Sequence, residues 1–142
     1  MKSIKTYLFI LLAFFAFISC KKQTSSDLSG TYVIKSGQSL SIPKNRNLAT
    51  LTASDFADSR CPTNAICVWE GVGTGKFKFK DDSKEQVIEL CLGGCAVVSK
   101  SKTQDITLNN INYTIELIEL SPYPGTGTAN STKKATIVLK RK

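Results

Sequence analysis

The chain has 142 residues, no histidine, and a formal charge of +8 from 19 basic and 11 acidic residues. The missing imidazole excludes Ser-His and Cys-His nucleophile systems and the commonest metal-ligating side chain. The cations are scattered rather than clustered with aromatics, so they describe a solvated basic surface near an anionic envelope and not a nucleic-acid face.

In chain order, the first segment is an address. Lys2 and Lys5 precede the apolar run Tyr7 to Ile18 (YLFILLAFFAFI), which is shorter than the roughly 20 residues a membrane-spanning helix needs and reads as a secretory signal. The run closes on Phe17-Ile18-Ser19-Cys20, which resembles the lipobox at which bacterial lipoprotein signal peptides are cleaved and the cysteine is acylated, with Phe17 in place of the usual leucine. That resemblance implies a lipid on Cys20 and a protein held on a membrane without spanning it, because each buried methylene of an acyl chain contributes about 0.8 kcal/mol. Lys21 to Ser26 form a polar tether without hydrophobic periodicity. No acidic residue stands beside the lipid site, which in resemblance terms favours the outer membrane, on its periplasmic side before the cell surface. The expected organisation is 1–19 signal peptide, 20–28 lipidated cysteine and flexible tether, and 29–142 one domain. Removing Lys2 and Lys5 leaves 17 basic against 11 acidic residues, a charge of +6. The terminal Lys140-Arg141-Lys142 reads as a fraying charged tail, with contact to anionic lipid as the other reading.

The remainder has the periodicity of strands. Gly75-Lys76-Phe77-Lys78-Phe79-Lys80 alternates strictly, and Gln86 to Cys91 is its return strand across a polar turn. Ile111 to Leu117 alternates again until Ile118 and Leu120 fall out of phase, which predicts a bulge near Leu117. Ala135 to Leu139 is a β-branched last strand, and Thr31 to Ile34, Ser39 to Ile42 and Ala49 to Ala53 are shorter ones. Short strands punctuated by Gly, Pro, Asn and Asp predict an all-β, two-layer antiparallel β-sandwich of immunoglobulin-like character, with a small closed barrel as the alternative.

Apart from Cys20 the cysteines are Cys61, Cys67, Cys91 and Cys95, an even number that an oxidising compartment would pair. Local pairing closes small loops worth roughly 2 kcal/mol each, whereas a crossed bridge such as Cys61 to Cys91 would contribute roughly 3 to 4 kcal/mol. Pro62, Asn64 and Gly93-Gly94 nevertheless let each local pair double back, so geometry favours local pairing over the crossed form that entropy prefers. Only CLGGC has zinc-knuckle spacing, and neither pair has the C-x-x-C spacing of disulfide oxidoreductases, so neither a metal nor another cofactor is expected.

The segments DSRCP, CVWEG, IELIELSPYP and KATIVL together resemble a family of small uncharacterised lipoproteins from Bacteroidota-type bacteria. Its pattern is a signal peptide, an SRCP-x-x-x-x-C-x-W-x-G segment and an L-x-L-x-PYP motif before a last strand, with Ile118 standing here for the first of those leucines. The resemblance covers Asp58 to about Gly75 and Tyr113 to Leu139, and it implies a location and a β fold but no activity. Cys61 and Cys67 match the family's shared pair while CLGGC is extra, which supports Cys61 to Cys67 as a self-contained bridge.

Asp55, Asp58, Glu70, Asp81 and Asp82 leave a carboxylate mechanism formally open, but charged turn residues are normally solvated structure, and no catalytic residue is assigned. Gly71, Gly73 and Gly75 lead into a strand and not a helix, so they read as a turn or bulge rather than a phosphate loop. Three residues are candidate binding positions. Tyr123, between Pro122 and Pro124, either faces a glycan or peptide or folds onto the sheet. Trp69 and Arg60 either form an exposed cation-aromatic platform or, the favoured reading, Trp69 is a core anchor beside the disulfide. The functional expectation is a non-enzymatic binding or accessory module for an envelope protein or glycan partner. A peptidase inhibitor presenting a stiffened loop is the alternative.

Overall fold

The computed structural model describes residues 27–125, 127, 128 and 131–142. The expected signal peptide and the acylation site Cys20 lie outside the described residues.

Eight strands form: β1 (Gly30–Lys35), β2 (Ser39–Ile42), β3 (Ala49–Asp58), β4 (Val72–Lys80), β5 (Glu85–Gly93), β6 (Thr103–Leu108), β7 (Ile111–Ser121) and β8 (Lys134–Arg141). They make two four-stranded antiparallel sheets, ordered β2-β3-β4-β5 and β1-β8-β7-β6, packed against each other and not closed into a barrel. The two packed layers are the sandwich that the alternation predicts; within each layer most neighbours are consecutive hairpins, and β1 crosses over to join β8.

Alternation decides which face is buried. In β4, Gly73, Gly75, Phe77 and Phe79 point inward while Lys76, Lys78 and Lys80 alternate outward. In β7, Tyr113, Ile115 and Leu117 point inward; a register shift between Leu117 and Glu119 then returns Leu120 to the core and leaves Ile118 outside. This is the bulge that the phase change at Leu117 predicts. A second shift, between Ser54 and Ala57 with Asp55 at φ 52°, carries β3 five residues beyond its predicted end. β6, absent from the predicted strands, pairs with β7 through a two-residue turn whose Asn109 and Asn110 both have positive φ. Gly73 and Gly75 sit inside β4, so only Gly71 of that glycine series is a turn residue.

Leu28 belongs to the core rather than to the tether: it is fully buried, its N–H donates to the Tyr113 hydroxyl (3.1 Å) and its carbonyl accepts from the Tyr32 hydroxyl (2.7 Å). The chain therefore enters beside the start of β7. This entry end also carries the 43–48 connection, the 81–84 turn, the Asn109-Asn110 turn and the close of β8. The distal end carries the connections 59–71, 94–102 and 122–133.

One carboxylate ties three connections of the entry end together. Asp81 Oδ1 accepts from the Ser83 N–H, the Ser83 hydroxyl and the Lys84 N–H, and Oδ2 accepts from the Asn109 N–H, each at 2.8 Å. The Asn109 side-chain amide in turn donates to the Leu48 carbonyl at 3.1 Å. Burial of Asp81 pushes its pKa up, but the hydrogen bonds from Asn109, Ser83 and Lys84 to the charged form outweigh it and hold the group at about 2, below the ordinary 3.8. A depressed folded-state value means stability present above the unfolded value and lost as pH falls through the folded one. Asp81→Asn is expected to lower stability by about 2 kcal/mol near neutral pH, with the difference from wild type shrinking between about pH 4 and pH 2. Urea denaturation at both ends of that range checks it; a constant difference would count against the assignment.

Candidate functional site

Whereas Asp81, Asp82 and the Lys140-Arg141-Lys142 run lie at the entry end, the distal end brings together Asp58, Arg60, both disulfide-bonded cysteine pairs and Tyr123. At its base, the Arg60 Nε and Nη2 donate to Asp58 Oδ1 and Oδ2 at 2.8 and 2.6 Å, and Nη2 also donates to the Leu120 carbonyl at 2.7 Å. The two side chains are only 10% and 2% exposed. The hydrogen bonds that Arg60 donates to Asp58 raise its pKa against the opposing effect of burial. Gly73 makes this possible: a Cβ there would lie 3.1 Å from Arg60 Nε, 3.2 Å from Asp58 Oδ1 and 3.0 Å from Leu120 Cδ1. The inward glycine of β4 is the space in which the ion pair sits.

Above this base the β3–β4 ladder continues outward as a loop. The Ser59 N–H donates to the Val72 carbonyl and the Cys61 N–H to the Glu70 carbonyl, both at 2.9 Å. Gly71 turns the chain at φ +70°, where a Cβ would come within 2.0 Å of the Ser59 carbonyl oxygen. Two neighbours brace the loop: the Gly94 N–H donates to the Gly71 carbonyl (2.8 Å) and the Thr63 N–H to the Pro124 carbonyl (3.2 Å). The cysteines pair locally, Cys61 with Cys67 and Cys91 with Cys95, at Cα separations of 5.9 and 5.7 Å.

The tip of this loop is apolar and faces water. Ile66 and Val68 are fully exposed and Trp69 is 57% exposed. The expected role of Trp69 as a core anchor is therefore corrected. The ladder pairs Cys61 with Glu70, which leaves residues 62 to 69 beyond the end of both layers, while the Arg60–Asp58 pair and Leu120 already close the core beneath. Arg60 is likewise not on a platform with Trp69; its guanidinium lies 4.3 Å from the Tyr123 ring centroid. Tyr123 falls between its two readings, one face on Arg60 and 44% of its surface exposed. Ile66 and Val68 were missed by sequence reasoning, and their signal was two aliphatic residues flanking Cys67 in a segment with no partner strand.

Three of the five carboxylates named from the sequence are engaged, while Glu70 and Asp82 are exposed. Asp58 is locked on Arg60, Asp81 is saturated by four donors, and Asp55 pairs with Lys76 at 3.1 Å. Lys76, Asp55, Glu89 and Lys100, with Thr74 and Gly75, line a cleft of about 230 Å³ whose charges neutralise one another. The hydrogen bond from Lys100 holds the Glu89 carboxyl below its ordinary range. Such internal pairing is that of a surface ion-pair network rather than of an acid and a base held at different pKa values. Among the described residues no three His, Cys, Asp or Glu side chains converge to hold a metal ion.

No protein-family model, no curated protein and no solved structure matches this chain.

Arg60→Ala is expected to cost about 3 to 5 kcal/mol, because it leaves the buried Asp58 carboxylate unpaired and the Leu120 carbonyl without its donor. Arg60→Lys should recover only part of this, since a point charge cannot reproduce the two-pronged contact. Gly71→Ala should cost roughly 2 kcal/mol or more through forced backbone change. Chemical denaturation of the three variants reads all of these, and wild-type stability in Arg60→Ala would remove the pair from its place at the base of the loop.

Proposed function

We propose that this chain is an exported lipoprotein, acylated on Cys20 and held on the periplasmic side of the outer membrane, whose sandwich is a non-enzymatic binding module for another envelope protein. The single observation that carries the binding role is the rigid apolar tip at Ile66, Val68 and Trp69. Large apolar side chains held in water are an unused favourable burial, worth roughly 1.5 to 3 kcal/mol each when fully covered. The Cys61–Cys67 bridge, the two ladder hydrogen bonds and the brace from Gly94 fix the loop before any partner arrives, so little ordering entropy remains to be lost on association. The aliphatic pair beside Trp69 favours a protein over a glycan, since sugars stack on aromatic planes and gain little from branched aliphatic side chains. Family resemblance in the SRCP and PYP segments and the lipobox-like sequence support the location.

A second reading rests on the same stapled presentation: a fully exposed Ile66-Cys67-Val68 segment is also what a peptidase inhibitor offers a protease cleft. Stoichiometric inhibition within a protease panel would favour it over an accessory role.

Ile66→Asp and Trp69→Asp should leave stability within about 0.5 kcal/mol, because both side chains already face water. Both should abolish crosslinking of the native lipidated protein to its partner in isolated envelopes. A crosslinked partner that survives both changes would sink the assignment of the tip. For the anchor, an alkyne fatty acid fed to cells should label the wild-type chain and not Cys20→Ser; an unlabelled wild type would overturn acylation.

A further inference from the structure

We infer that the distal end is one docking surface built by three connections, and that its occupant is a protein face apolar at its centre and rimmed by carboxylates. The inference rests on the tip acting as a binding site; it adds the extent of that site and the chemistry of the partner.

The fold gathers the exposed apolar side chains at one pole. Ile66, Val68 and Trp69 stand in the 59–71 connection, Val97 (73% exposed) in the 94–102 connection and Tyr123 in the 122–133 connection. Among the described residues the other large apolar side chains that face water are Val33, Val87 and Ile118, one each on β1, β5 and β7. Single exposed aliphatics on strands are ordinary, whereas a group of five at one end is what an interaction site displays. The three connections are also fastened to one another. The Gly94 N–H donates to the Gly71 carbonyl, the Thr63 N–H donates to the Pro124 carbonyl, and the Tyr123 ring covers the Arg60 guanidinium. A Cβ at Gly125 would come within 3.1 Å of the Thr63 hydroxyl oxygen, so the two loops meet closely there. The Cys91–Cys95 bridge holds the turn that carries Val97 to β5. The tip, Val97 and Tyr123 therefore meet a partner as one body, with little ordering entropy left to lose.

The rim of this surface is positive. Lys35 ends β1, Lys133 and Lys134 lead into β8, and Lys100 and Lys102 belong to the 94–102 connection. Against them stand the exposed Glu70 and Glu119, while the buried Arg60 and Asp58 cancel. Lys100 and Lys102 lean back on Glu89 and Glu116 of β5 and β7, in exposed pairs that exchange readily for other anions. Lys35, Lys133 and Lys134 have no carboxylate within ion-pair reach among the described residues. Lys35 and Lys134 are partners in the β1–β8 ladder, so two like charges stand side by side, an arrangement that an incoming anion relieves. The Lys133 Nζ donates to the Phe56 carbonyl (3.5 Å), which brings the third cation to the strand from which the 59–71 loop departs. A second copy of the chain would oppose lysines to lysines, whereas an acidic rim completes them. The terminal Lys140-Arg141-Lys142, at the other end, is held rather than frayed, which corrects the reading of a loose charged tail: Lys140 and Arg141 pair with Thr114 and Tyr113 of β7, and Lys140 and Lys142 face Glu116 and Asp105.

The test places a photocrosslinking amino acid singly at positions 66, 97 and 123, and as controls at 33 and 87, in the full-length lipidated chain, and irradiates native envelopes. Positions 66, 97 and 123 should give adducts of one common mass, and 33 and 87 none. The yield from position 66 should fall several-fold when salt is raised to about 0.5 M. Lys133→Glu with Lys134→Glu should lower it roughly tenfold, and Glu119→Lys should raise it, both variants keeping the circular dichroism of the wild type. Sequencing of the joined partner peptide should show Asp or Glu beside its apolar residues. An adduct from position 66 alone, a yield indifferent to salt and to the reversals, an adduct of twice the mass of the chain, or one with phospholipid would each overturn the inference. In the first two cases the tip remains a docking site, whereas the absence of any adduct at position 66 would remove the tip reading as well.

Discussion

A guanidinium and a carboxylate moved out of water lose several kcal/mol of hydration each, and only good geometry with further hydrogen bonds offsets that loss. Arg60 and Asp58 meet the requirement through two prongs of contact, the Leu120 carbonyl as a third acceptor and the Tyr123 ring over the guanidinium. The rest of the distal end depends on this arrangement. Asp58 ends β3, Leu120 lies near the end of β7 and Tyr123 belongs to the proline-flanked connection, so one side chain joins the two sheets at the place where a sandwich has no hairpin to do so. The vacancy at Gly73 is the steric condition for the pair, and the turn at Gly71 is the backbone condition for the loop above it.

That arrangement also separates the roles of residues that are neighbours in sequence. Arg60 and Trp69 flank one disulfide-closed segment, yet one is buried as a strut and the other is displayed. Cys61–Cys67 isolates the tip from the core: a substitution at position 66, 68 or 69 touches neither the ion pair nor the ladder, whereas one at 58, 60, 71 or 73 touches both. The tip can thus vary in sequence without consequence for the ion pair or the ladder beneath it.

The sandwich was legible because alternation is a local signal. FKFK, INYTIEL and ATIVL each carry enough apolar residues at period two to name their own inner face, and even the bulge at Leu117 could be read from a break in phase. β6 was not legible, since only Ile106 and Leu108 of TQDITL alternate; its identity as a strand comes from pairing with β7, a tertiary fact. The glycines of β4 were misread for a related reason. An inward glycine in a strand has meaning only with respect to what fills its place, here Arg60 and Asp58 beside Gly73 and Phe56 beside Gly75. Trp69 failed the usual expectation that a tryptophan beside a disulfide is core because burial depends on where the layers end, and no pattern within CVWEG states that. The local disulfides, by contrast, follow from glycine, proline and reach, all of which are written in the segments themselves.

The Cys91–Cys95 bridge has a consequence for the open border of the β2–β5 sheet. β5 is its edge strand, and edge strands offer unpaired backbone groups to any extended chain that passes. Here the bridge holds the short 3-10 turn Cys95–Val98 against β5. The following residues lie alongside it, with Leu90 bridged to Ser101 and the Cys91 N–H donating to the Ser101 carbonyl at 3.1 Å. The chain thus shields part of its own border, and the Cys91–Cys95 bridge ties the shielding segment to the strand that it covers.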